Sequence, residues 1–216
     1  MNPILFKKSK ESVSGIYAFG DSITFGMNAT TGNDYVSKIC TYFNVTKHNL
    51  AVSGTHLEND YPQAHTFQDD VITSYVPNKI GLVKMIIAFG TNDGRGSSGY
   101  TYFNPTKYYN VYNFCIDTLL TKGWKLNDLY IITPFYTTNA DLATYGVSRD
   151  QYELFVTSCI NVAIDRDITY FDSYHYTINN GGDVNISSDH VHPNNTGHNI
   201  NFEGLRDILK YKIKVN

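Results

Sequence analysis

Charge is scarce in this chain and neither sign dominates it. Asp, Glu, Lys and Arg make up 17% of the residues, and 17 basic against 20 acidic side chains leave a net charge of -3. With no basic excess there is no electrostatic footprint for nucleic acid or an anionic membrane, so neither is expected as a partner. Long apolar runs are also missing. Nothing approaches the ~20 residues of a membrane span. Pro3-Ile4-Leu5-Phe6 is shorter than the ~7-residue minimum of a signal-peptide core. The chain is therefore expected to be soluble, without membrane insertion or an export signal. An extracellular or virion-associated setting stays open if it is part of a longer protein. Cysteine is sparse and odd in number: Cys40, Cys115 and Cys159 lie far apart in segments of helical period. That excludes a disulfide framework and a cysteine metal site, and points to buried free thiols. Repeats, low-complexity tracts and linkers are absent.

What is present is a hydrophobic content of 42% and an abundance of aromatics, with 18 Tyr and 12 Phe among 216 residues. This is enough to bury one sizeable core, and a single domain is expected over residues 1–216, with 1–13 as a short N-terminal extension. Short apolar runs bounded by turn residues alternate with longer stretches of helical period. That is the pattern of a parallel sheet covered on both faces. Strands are expected at 16–19, 47–51, 85–89, 129–133 and 168–171, and helices at 34–43, 68–75, 106–122, 149–165 and 197–212. Pro105 and Gly123 mark the start and stop of the third helix. The segments 92–104, 134–147 and 173–195 read as loops longer than ordinary strand-to-helix connections. The fold class is α/β: a three-layer α/β/α domain around a five-stranded parallel sheet.

Four segments carry chemistry. Gly20-Asp21-Ser22-Ile23-Thr24-Phe25-Gly26 follows the first strand, Gly54 the second and Gly90-Thr91-Asn92-Asp93 the third, while Asp189-His190-Val191-His192-Pro193 precedes the last helix. In an open parallel sheet ligands bind beyond the carboxyl ends of the strands, so Ser22, Gly54 and Asn92 converge on one rim. A serine nucleophile needs a base, and the base needs an acid group that fixes its tautomer. Ser22, His192 and Asp189 supply those roles. The spacing of Asp189 and His192 sets carboxylate and imidazole on one side of a tight turn, and Pro193 keeps His192 extended. His190 is the competing base, one residue from Asp189 but on the opposite side of an extended backbone. The main-chain N–H groups of Ser22 and Gly54 and the side-chain amide of Asn92 are three candidate donors for an oxyanion hole. Asp21 and Asp93 are read as loop-holding residues that accept from nearby backbone N–H groups. The residues assigned to this set leave no zinc site and imply no metal or organic cofactor.

These blocks, in this order, resemble the SGNH (GDSL) hydrolase family from Gly20 to the last helix. The resemblance implies the flavodoxin-like SGNH hydrolase fold, with Ser22 as nucleophile, His192 activating it, and Gly54 and Asn92 completing the oxyanion hole. The Gly-x-Ser-x-Gly elbow of α/β-hydrolases is absent. Members of the family act on acetylated sugars, lipids, thioesters and small esters, so the fold does not choose the substrate. Tyr100, Tyr102, Phe103, Phe135, Tyr136, Tyr174 and Tyr176 fall in loops expected to ring the site, and a tyrosine face with a polar tip suits a sugar ring. Of these, Tyr100, Tyr102, Phe135, Tyr136 and Tyr174 are taken as substrate contacts. The reading is a serine esterase removing O-acetyl groups from a carbohydrate, its partner an acylated glycan or small ester. A lipase or lysophospholipase and a glycan-binding module of a surface or virion protein are the alternatives.

Overall fold

The computed structural model describes residues 10–59, 65–96 and 104–215. Five strands, β1 (Gly15–Gly20), β2 (Thr46–Asn49), β3 (Val83–Ala88), β4 (Leu129–Ile132) and β5 (Thr169–Phe171), form one parallel sheet in the order β2-β1-β3-β4-β5. Every pairing is parallel, as expected where each strand is followed by a crossover. The chain leaves β1 to one side for β2, then returns to the other side for β3. The direction of winding therefore reverses between β1 and β3, which is the ligand-binding switch point of an open α/β sheet.

Both faces of the sheet are covered. Along β3 successive residues go to opposite layers. Met85 and Ile87 join one cluster with Phe67 of α3 (Phe67–Ile72), Tyr112 of α5 (Pro105–Thr121) and Phe155 of α7 (Arg149–Asp165). Ile86 and Ala88 join the other with Tyr35 of α2 (Tyr35–Phe43) and Leu205 of α9 (Asn195–Leu209). This double burial is why β3 reads as a continuous apolar run. Its one charge, Lys84, is buried but paired with Glu11 at 2.6 Å and Asp128 at 3.1 Å. Glu11 also bonds Lys212 and Lys214 through its backbone, and Val13 is buried, so the expected N-terminal extension is anchored to the body from Glu11 onward.

The five expected strands and five expected helices are present, with ends shifted by a few residues. Cys40, Cys115 and Cys159 lie on α2, α5 and α7 as buried free thiols, and burial pushes Cys40 and Cys159 up to about 12. The segments read as loops differ: they contain α4 (Thr91–Arg95), α6 (Asn139–Thr144) and α8 (Ser173–Asn179). These helices are too short to carry a hydrophobic period. Side-chain caps set two of them, Thr138 accepting from the Asp141 N–H and Asp172 from the His175 N–H. Among the described residues no helix is long and apolar enough to cross a membrane.

Gly90, which caps α4, has φ +116°, and an added Cβ would stand 2.5 Å from the Tyr108 hydroxyl and 2.6 Å from Pro134 Cγ. Gly90→Ala therefore combines a left-handed backbone penalty with overpacking. It is expected to lower unfolding stability by at least ~2 kcal/mol in urea denaturation.

Candidate active site

Ser22 opens a single helical turn, α1 (Ser22–Phe25), directly after β1. Asp21 caps it, its side chain accepting from the Ile23 N–H at 2.9 Å, and Gly26 ends it in the left-handed region at φ +105°. The turn holds Ser22 at the carboxyl end of β1, 9% exposed, and sets its N–H among the open donors of a helix start. On the far side of the rim, Asp189 lies in a turn closed by the His190 N–H donating to the Ser187 carbonyl. One Asp189 oxygen accepts the backbone N–H groups of Val191 and His192 at 3.1 and 3.0 Å. The other meets His192 Nδ1 at 2.8 Å, and His192 Nε2 lies 2.7 Å from Ser22 Oγ. Hydroxyl, imidazole and carboxylate are thus in line across 170 positions of sequence.

His190 takes no part in this line. It sits at φ +68° with an exposed side chain, while its carbonyl accepts from the Thr138 N–H and the Thr137 hydroxyl. His190 is kept from the line by its left-handed place in the turn and not, as expected from the sequence, by the alternation of an extended backbone.

Asn92 lies on α4, and its side-chain amide donates to the Thr55 carbonyl at 3.0 Å. This joins two of the three candidate oxyanion donors, because Thr55 follows Gly54. Gly54 has φ +80°, and a Cβ there would meet nothing within 4 Å, so its backbone is open to an approaching group. With one amide hydrogen held by Thr55, Asn92 has the other to offer.

Two carboxylates behind the site are buried. Asp93 accepts from the Leu57 and Glu58 N–H groups and fixes the chain beyond Gly54. Asp21 keeps one oxygen, Oδ2, without a hydrogen-bond partner. Burial pushes the Asp21 carboxyl up to about 7, against the Ile23 N–H, and the nearby Asp93 charge adds to the rise. Asp189 is held at the opposite extreme. Its partial burial would raise it, but the N–H and imidazole of His192 and the Val191 N–H outweigh that and bring it down to about 2. It remains an anion at neutral pH.

The expected substrate contacts divide. Phe135 is in the core against Tyr35, its N–H donating to Thr91 and its carbonyl accepting from Tyr152. Tyr174 is fully buried beside Tyr136 and Tyr152, its hydroxyl donating to Glu153. Neither is available to a ligand, which corrects both assignments: apolar area in these loops is spent on packing them to the body. Tyr136 is half-buried, its face under the Arg149 guanidinium at 4.8 Å and its hydroxyl donating to Asp183. Tyr100 and Tyr102, with Phe103, lie outside the described residues. Sequence reasoning missed Asn28, whose side-chain amide donates to Asp189 at 2.6 Å. It lies 161 positions from its partner, and no spacing signals the contact.

A doubly wound parallel sheet with a hydrogen-bonded serine, histidine and aspartate at its switch point defines a class of protein by its fold: a three-layer α/β/α domain. The chain belongs to the GDSL-like lipase/acylhydrolase family, whose model matches residues 18–200, and it is thus a member of a family of ester hydrolases. The fold is shared with a lipolytic G-D-S-L family protein from Veillonella parvula (18% identity, TM-score 0.70, covering 92% of this chain and 99% of that one). It is shared with a lipase/acylhydrolase from Enterococcus faecalis (17% identity, TM-score 0.70, 94% and 99%). It is also shared with a variant of an acetyl xylan esterase from Geobacillus stearothermophilus (16% identity, TM-score 0.66, 94% and 98%). No curated protein matches the sequence.

The raised Asp21 carboxyl carries a sign that can be measured. Its folded value, about 7, lies above its ordinary 3.8, so ionisation is disfavoured in the folded state and stability erodes as pH rises between the two. Asp21→Asn keeps the capping oxygen without the charge. The melting temperature of Asp21→Asn minus that of the native chain is expected to rise from pH ~4 to ~7 and then level off. A difference that stays flat across this range would mean the carboxyl is ionised at no cost.

Proposed function

We propose that the protein is a serine esterase that transfers an acyl group to Ser22 and then to water, and that its substrates are O-acetylated carbohydrates. The line from Ser22 Oγ through His192 to Asp189, at 2.7 and 2.8 Å, carries the reading. His192 Nε2 takes the hydroxyl proton as Oγ attacks the ester carbonyl, and Asp189 stabilises the resulting imidazolium through Nδ1–H. The tetrahedral oxyanion is met by the N–H groups of Ser22 and Gly54 and by the Asn92 amide. Collapse expels the alcohol, which takes the proton from His192 and leaves an ester on Ser22. Water, deprotonated by His192, cleaves that ester to release the acid and restore the hydroxyl. No cofactor or metal enters these steps.

The carbohydrate assignment is supported by the half-buried Tyr136 near the carboxyl end of β4 and by a shared fold with an acetyl xylan esterase. A second reading, an esterase of apolar acyl groups, is favoured by one observation. Phe25 and Met27, three and five residues beyond Ser22, are 58% and 36% exposed.

Acetate release from O-acetylated xylan and other O-acetylated glycans, beside p-nitrophenyl acetate, butyrate and octanoate, tests both. Serine-dependent release from a glycan supports the deacetylase, whereas rates that climb with acyl chain length support the apolar reading. Ser22→Ala and His192→Ala are each expected to cut kcat by at least ~10³-fold. His190→Ala is expected to stay within about threefold of the native rate. Equal losses at His190 and His192 would overturn the assignment of the base.

A further inference from the structure

We propose that Asn28 is a positioning residue of the acid–base pair: its side-chain amide locks Asp189 in place and tempers how strongly that carboxylate stabilises protonated His192. The inference rests on the roles proposed above for Ser22, His192 and Asp189.

Among the described residues, four hydrogen bonds fall on Asp189. Three come from its own turn, the N–H groups of Val191 and His192 on Oδ1 and His192 Nδ1 on Oδ2. The fourth, from Asn28 Nδ2 to Oδ2 at 2.6 Å, crosses from the loop that follows Ser22. It falls on the same oxygen that faces the imidazole. The Asp189 side chain is 39% exposed, so this is a place where water would otherwise compete.

The backbone aims the amide. Asn28 sits in the left-handed region at φ +62°, which asparagine tolerates better than most side chains. The loop around it is tied down on both sides: Ala29 N–H donates to the Gly26 carbonyl, the Met27 carbonyl pairs with His198 Nε2 at 3.2 Å, and Thr30 N–H donates to Asn195. A single short bond from Asn28 thereby ties the nucleophile's loop to the loop that carries the base.

The electrostatic consequence has a definite sign. A donor on Oδ2 draws carboxylate charge away from the His192 Nδ1–H, so protonated His192 is stabilised less than by a bare carboxylate. His190 shares its turn, and from α9 the buried His198 is within electrostatic reach of His192, of Lys38 on α2 and of Asp34, which caps α2. Asn28 is the neutral group that contacts the acid directly. Removing its amide raises the pH at which His192 loses its proton, and placing a negative charge there raises it further.

The test is kcat/KM for p-nitrophenyl acetate from pH ~5 to ~9 in the native chain, Asn28→Gly and Asn28→Asp, since this quantity reports the free enzyme's base. Glycine keeps the left-handed backbone and removes the whole side chain with its amide, and aspartate keeps the shape. The acid limb is expected to move to higher pH in the order native, Asn28→Gly, Asn28→Asp. For Asn28→Gly this means a loss of about threefold to tenfold near pH 6 and less than about twofold near pH 8.5, carried by kcat and not by KM. The ring titration of His192 followed by NMR in a Ser22→Ala background should rise in the same order and needs no turnover. A loss uniform across pH, or a limb that moves down, would reduce Asn28 to a structural loop residue and overturn the proposal. Turnover that survives Ser22→Ala would instead overturn the nucleophile assignment itself.

Discussion

The pairing of β1 with β3 is the constraint from which the site follows. The two strands run in register from Gly15 opposite Val83 to Gly20 opposite Ala88, so their carboxyl ends stop side by side. Ser22 stands two residues past one end and Asn92 four residues past the other. A hydroxyl and an amide far apart in the chain are brought to one rim because neither strand has anywhere else to go: both are packed on both faces, and slipping the register would expose a core layer. The sheet reverses its winding between these two strands, which leaves the crevice above them uncovered by a crossover helix. The hydrophobic alternation of β3 thus positions the site before any polar contact is made.

Around that crevice the carboxylates divide by environment. Asp189 has four donors and is held down at about 2, an anion suited to an imidazolium partner. Asp21, next to the proposed nucleophile, is bonded through one oxygen while the other is orphaned, and burial lifts it to about 7. A carboxyl that costs this much to ionise serves as a cap, holding the turn that presents Ser22. Solvation and donor count assign the roles where residue type does not.

Much of this was legible in the chain. Strands buried on both faces are plain as apolar runs, and Ser22 and Asn92 fall on the rim just past two of them, β1 and β3, while Gly54 follows the polar edge strand β2. The turn at Asp189 to His192 was legible from its spacing and from Pro193. Phe135 and Tyr174 were misread because an aromatic in a loop has the same composition whether it covers the core or faces a ligand, and only packing separates the two. The helices α4, α6 and α8 were missed because a turn or two of helix shows caps but no period. Asn28 was invisible for a different reason. Its contact with Asp189 joins two loops whose distance in sequence carries no information, and it exists only once the sheet has brought them together.

A second hydroxyl, imidazole and carboxylate lie in contact nearby, and they explain why contact alone does not make a nucleophile. Thr55 Oγ1 is 3.1 Å from His65 Nδ1, and His65 Nε2 is 3.1 Å from Asp70. The Thr55 hydroxyl already donates to the Val52 carbonyl at 2.7 Å, so its proton is committed, and the residue is only 2% exposed. Burial lifts the Asp70 carboxyl to about 6, despite the neighbouring His65, which makes it a poorer support for an imidazolium than Asp189. This second set has neither an available proton nor an approach for substrate. What it does have is a position: Thr55 follows Gly54 and receives the Asn92 amide, so the network braces the loop that bears one proposed oxyanion donor and anchors the side chain of another. Two arrangements of the same three groups thus diverge, one toward chemistry and the other toward rigidity, according to where the hydroxyl proton can go.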